Sequence, residues 1–130
     1  MIAGFAAVGI GAALGAWLRW GLSIWLNPRV PMFPLGTLAA NLIGGYLIGL
    51  AVAYFAANAQ VAPEWRLFAI TGMLGGLTTF STFSAEVASL AVRREWMWSA
   101  ATIGVHVAGS VGLTLLGLVI ARSLFAGGSP

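Results

Sequence analysis

The chain has 130 residues, 60% of them hydrophobic and 7% charged, where ordinary soluble domains carry roughly 25% charged residues. Six arginines, three glutamates and no cysteine leave long uncharged runs and no means for a disulfide framework, thiolate catalysis or a Cys-ligated metal. The net charge of +3 comes from dispersed arginines that form no basic patch, so nucleic-acid binding is excluded along with disorder and coiled coil.

Such a chain belongs in a bilayer, where one crossing takes about 20 apolar residues. The start lacks the cationic region of a cleaved signal, and Met1–Leu18 is read as part of a retained first span. Breaks at Asn27 to Pro31, Asn58 to Pro63 and Arg93 to Glu95 join turn formers to charge. They predict an all-α membrane protein with a single four-helix domain over 1–125. Its spans run over about 3–26, 34–57, 65–92 and 96–124, followed by a frayed tail at 126–130. Trp25, Trp65, Trp96 and Trp98 fall at the span ends, where amphipathic rings meet the water interface.

Glycines recur four apart at Gly11/Gly15, Gly45/Gly49 and Gly72/Gly76, the spacing that lets helix backbones approach closely in lipid. With four spans, one side of the membrane carries Arg66 and Arg122. The other carries Arg29, Arg93 and Arg94, with Arg19 leaning toward it. Orientation follows this bias, and the near balance points to dual insertion. Four spans are too few for a pair of inverted repeats; an antiparallel homodimer supplies the same symmetry.

In the third span, Gly75-Gly76 precedes Thr78-Thr79 at mid-membrane depth. A helix interrupted there frees carbonyls that are tolerated only in contact with protein, water or an ion. The pattern predicts a break at Gly75 to Thr79, against the alternative of an unbroken packing face. Phe80 and Phe83, interleaved with Ser81, Thr82 and Ser84, share a helical face; they pack a core or turn electropositive ring edges toward an anion. On the fourth span Thr102, His106, Ser110 and Thr114 form a stripe at four-residue spacing. It is either a polar conduit or a set of hydroxyls bonded back to their own helix.

Asn41 and Glu86 are costly polar residues within spans. Asn41 offers an amide donor; Glu86 is a proton carrier, a partner for Arg19 or Asn41, or an interfacial group. Arg19 snorkels between Trp17 and Trp20 or shapes a vestibule field. No catalytic set is present, and an enzyme has no support.

The order Gly36-Thr37, Asn41, the run GGLTTFSTFS from Gly75 to Ser84, Glu86, His106 and Ser110 closely resembles the Fluc/CrcB fluoride channels over essentially the whole chain. The resemblance implies a fluoride-selective channel in the bacterial inner (plasma) membrane that passes fluoride passively out of the cytoplasm and protects against its toxicity. It implies an antiparallel, dual-topology homodimer with two pores. Phe80 and Phe83 are expected to line them, with Asn41, Ser110, Thr114 and His106 alongside. A central structural Na⁺ is implied at the backbone carbonyls of Gly75 and Thr78; Arg19, Glu86, Thr79, Ser81 and Thr82 are further candidate site residues. A small proton-coupled antiporter, the competing class, needs a glutamate deep in the first span, where this chain has Arg19.

Overall fold

A computed structural model describes residues 1–126. Of the tail expected to fray, residues 127–130 and the side chain of residue 126 lie outside the described residues. Every regular element among the described residues is helical. Helix α1 (Ile2–Leu26) runs into a short 3₁₀ turn at Asn27–Arg29. Next come α2 (Leu35–Ala57) and α3, which begins α-helical at Pro63–Arg66, turns π-helical over Leu67–Leu74 and returns to α-helix at Gly75–Leu77. Helices α4 (Phe80–Val92) and α5 (Trp96–Ala126) complete the chain. Four stretches, Ile2–Arg29, Leu35–Ala57, Pro63–Val92 and Trp96–Phe125, are long and apolar enough to cross a membrane.

The connections use the turn chemistry of the sequence. Asn27 Oδ1 accepts the Gly36 N–H at 2.8 Å, tying the end of α1 to the start of α2. Pro63 occupies the first turn of α3, where a missing N–H costs nothing. After α4, Arg94 takes a left-handed conformation (φ 60°). This lets the Glu95 N–H reach the Leu90 carbonyl at 2.9 Å, a helix-ending bond usually made with glycine at the left-handed position.

Packing follows the glycine pairs, all three of which lie at helix interfaces within the chain. Helix α1 lies on α3: a Cβ added at Gly11 would stand 2.8 Å from the Met73 nitrogen, at Gly15 2.7 Å from the Leu77 nitrogen, and at Gly72 2.8 Å from the Val8 carbonyl oxygen. One at Gly76 would strike the Ala12 carbonyl. Only glycine permits backbones this close. Helix α2 lies on α5 in the same way, with Gly45 against Ser110 and Gly49 against Thr114 and Leu118. Where α1, α2 and α3 meet, Ala40, Leu74 and Leu77 form a small core, with Leu22, Leu47 and Ile48 packed against it. The π-helical run bears on this α1 face, and nothing in its mostly apolar sequence, Leu67 to Leu74, distinguishes it from an α-helix.

Candidate functional site

Helical hydrogen bonding stops at Leu77 and resumes at Phe80. Thr78 (φ −83°, ψ 152°) and Thr79 (φ −151°, ψ 121°) are extended, conformations that β-branched residues favour. Gly75 and Gly76 remain helical; the small size of Gly76 serves the approach of α1, and the departure from helix falls on the two threonines.

Each threonine secures one side of this segment. Thr78 N–H and Oγ1 both donate to the Leu74 carbonyl, at 3.0 and 2.8 Å, closing α3. Thr79 caps α4, its Oγ1 accepting the Thr82 N–H at 3.1 Å. The same hydroxyl contacts Ser81 Oγ at 3.3 Å and Thr82 Oγ1 at 3.2 Å. Arg19 Nε, reaching from α1, donates to the Gly76 carbonyl at 3.1 Å, which places a cation at the negative end of α3. The carbonyls of Gly75, Leu77 and Thr78 receive no hydrogen bond among the described residues.

Asn41 holds the extended segment from α2. Its Oδ1 accepts the Thr79 N–H at 2.8 Å, its Nδ2 donates to the Thr79 carbonyl at 3.0 Å, and the same Nδ2 lies 3.2 Å from Nδ1 of His106 on α5. His106 is 4% exposed and stacks on Phe83 with ring centroids 4.6 Å apart. Phe83, 7% exposed, meets Phe80 edge-on at 5.4 Å and 64°. Phe80 itself is 77% exposed. A cavity of about 430 Å³ opens at this point, lined by Asn41, Gly75, Thr78, Thr79, Phe80, Phe83, His106 and Ser110 among others. The structure therefore brings together five of the six residues expected to line a pore.

The polar stripe of α5 divides. Thr102 donates back to the Trp98 carbonyl at 2.8 Å, and the Thr114 hydroxyl is shared between the carbonyls of Gly45 on α2 (2.8 Å) and Ser110 of its own helix (2.9 Å); neither threonine lines this cavity. Ser110, whose hydroxyl has no hydrogen bond among the described residues, and His106 are the members that line it. Bonding back to the helix thus accounts for Thr102 and Thr114, while His106 and Ser110 face the cavity.

Glu86 finds its partner elsewhere than expected. Thr37 donates to Oε1, while Oε2 is buried with no partner; Arg19 and Asn41, the two candidates, bond to Gly76 and Thr79 instead. A second, separate cavity of about 260 Å³ lies along α4, lined by Thr82, Glu86, Ser89 and Arg93 among others. Thr37, 1% exposed, was named only as part of a motif. It lies four residues before Asn41, on one face of α2, but the two reach different partners, Glu86 for Thr37 and Thr79 for Asn41.

Four apolar spans enclosing a polar cluster, with extended backbone between two of the helices, define a multi-pass membrane protein with a polar-lined cavity among its spans. The family profile described as "CrcB-like protein, Camphor Resistance (CrcB)" matches residues 6–118. The chain is 59% identical over 121 residues to a protein named fluoride-specific ion channel FluC from Cupriavidus taiwanensis, covering 93% of this chain and 96% of that one. It is 62% identical over 113 residues to the protein of the same name from Thiobacillus denitrificans (87% and 91% covered). A third, from Nitrosospira multiformis, is 58% identical over 118 residues (91% and 92% covered). The chain belongs to the CrcB family and is a multi-pass protein of the bacterial inner membrane.

Proposed function

We propose that this chain is a fluoride-selective channel, not an enzyme, which lets fluoride leave the cytoplasm passively and so protects against its toxicity. The working unit is an antiparallel homodimer of dual topology with two pores. The observation that carries this reading is the convergence of Phe80, Phe83, His106 and Ser110 on one cavity beside the extended Thr78–Thr79 segment, in a chain closely related to proteins named fluoride-specific channels.

Fluoride is small and strongly hydrated, so a pore must replace its water with hydrogen-bond donors and positive ring edges. A free hydroxyl at Ser110 and the edge-on pair Phe80–Phe83 are groups of that kind. Among the described residues the cavity lining holds no carboxylate to repel the ion and no arginine to hold it by a full charge, which fits binding weak enough for the ion to leave. The membrane potential then supplies about 2.3 kcal/mol per charge per 100 mV. With 77% of its surface exposed, Phe80 fits a site finished by a second copy, and the near-balanced arginines fit insertion in both orientations.

The carbonyls of Gly75 and Thr78 that lack donors fit a sodium ion at the two-fold axis, two from each copy. Held there, such an ion would supply fixed positive charge to offset the cost of bringing an anion into low dielectric. Arg19 on the intervening Gly76 carbonyl adds a second cation to the same helix end.

Purified protein in liposomes, followed with a fluoride electrode, tests the proposal. Fast efflux that neither moves nor needs protons is expected. Slow, pH-coupled efflux means an exchanger, and no fluoride efflux overturns the reading. A reporter on the C-terminus should be found on both sides of the membrane; one orientation throughout, with no partner chain, removes the antiparallel dimer.

A further inference from the structure

The contacts around Asn41 determine where the proton sits on His106. A backbone N–H can only donate and a backbone carbonyl can only accept, so the two bonds to Thr79 assign the Asn41 amide: Oδ1 faces the Thr79 N–H at 2.8 Å and Nδ2 faces the Thr79 carbonyl at 3.0 Å. The remaining Nδ2 hydrogen is the one directed at His106 Nδ1, 3.2 Å away. An amide nitrogen accepts nothing, so Nδ1 is the acceptor. In a neutral imidazole one nitrogen accepts and the other carries the hydrogen; that hydrogen is therefore on Nε2.

Two consequences follow for the cavity. Both hydrogens of Asn41 are engaged within the protein, which leaves none for a passing anion. His106 Nε2, by contrast, has no hydrogen bond among the described residues and is not among the fully enclosed atoms, although the ring as a whole is buried. The ring lines the cavity, and its stacking on Phe83 at 4.6 Å and 32° limits its rotation.

Resting on the fluoride-channel reading, we infer that the Nε2–H of His106 is the nitrogen donor offered to the anion in this cavity, and that Asn41 is a positioning residue acting through it. Asn41 clamps the extended backbone at Thr79 and fixes the histidine tautomer in one arrangement. A neutral donor suits conduction, since it replaces one hydration bond of the ion without holding it by a full charge.

His106 is the chain's one histidine, so ¹⁵N-histidine labelling of the whole protein in liposomes reports on this ring alone. The expected spectrum has hydrogen on Nε2 and none on Nδ1; sodium fluoride shifts the Nε2 signal while sodium chloride does not. In Asn41→Ala the hydrogen should redistribute between the two nitrogens and fluoride flux should fall about tenfold, the effect of one lost hydrogen bond. His106→Gln, whose amide nitrogen occupies the Nε2 position, should keep more flux than His106→Asn, whose amide occupies the Nδ1 position.

Hydrogen on Nδ1 in the unsubstituted protein, or an Nε2 signal indifferent to fluoride in liposomes that conduct it, overturns the inference and leaves the channel reading standing. An unchanged tautomer in Asn41→Ala removes the positioning role. Absence of fluoride flux from the unsubstituted protein instead defeats the channel reading itself. Should Asn41→Ala fail to fold, the fluoride titration of the unsubstituted chain decides.

Discussion

The two halves of the third span are held by different physics. The first, α3, is set by contact of backbone on backbone: Gly72 and Gly76 lie against α1 at Val8 to Ala12, and Gly11 and Gly15 return the contact. The second, α4, starts on side-chain hydrogen bonds, with Thr79 capping its first turn and Asn41 gripping the backbone one step earlier. Steric contact of the first kind tolerates no added atoms, whereas a hydrogen-bonded clamp can be weakened by degrees. The polar site lies where the two meet, with a rigid wall on one side and an adjustable one on the other.

The sharpest way to break this contrast is on the rigid side. Gly76→Val should cost about 3 kcal/mol or more, the upper end of overpacking penalties, and abolish a folded peak in detergent chromatography. Gly112→Ala, where an added Cβ meets nothing within 4 Å, should leave the melting temperature nearly unchanged.

On the adjustable side, Asn41→Asp puts a carboxylate oxygen against the Thr79 carbonyl and removes the donor to His106. Loss of conduction is expected, with about 1–3 kcal/mol of destabilisation from the group left unpaired, read by liposome efflux and thermal melting together. Full flux would show that the clamp is dispensable.

Phe80→Ile and Phe83→Ile keep bulk and remove the ring edge, so each should lower flux about tenfold, the worth of one aromatic edge contact, while dimer assembly by cross-linking stays intact. The smallest effect is expected at the cap: Thr79→Ala should cost about 1 kcal/mol and lower the melting temperature without preventing folding. A collapse there as severe as that of Gly76→Val would erase the distinction between the two halves.

Much of the architecture was legible because it is written in local terms. Apolar run lengths and the turn formers at Asn27, Pro63 and Arg93 marked the spans, and glycines four apart marked faces of close approach. The third-span motif placed the extended segment to within a few residues. What escaped depended on distant partners. Glu86 could be recognised as costly, but nothing near it in sequence pointed to Thr37, 49 residues away. Asn41 was read as a free donor because its residue type has one; only the positions of Thr79 and His106 show both hydrogens engaged. The stripe on α5 had the right period, yet period alone cannot separate Ser110, which lines the cavity, from Thr114, which bonds to Gly45 on α2.

The π-helical run Leu67–Leu74 bears on how this chain can change length. A π turn closes on the fifth residue instead of the fourth, so it holds one residue more than the α turn it replaces. Deleting a single residue from its part ahead of Gly72 can be absorbed by a local return to the α pattern, with Pro63–Arg66 and Gly75–Leu77 kept in place on either side. The same deletion between Gly11 and Gly15, or between Gly72 and Gly76, rotates one glycine of the pair off the contact face and sets a side chain against backbone. Variation in the length of this span is thus expected to concentrate in residues 67–71, the part of the π-helical run ahead of Gly72, which a scan of single-residue deletions scored by expression and flux would locate.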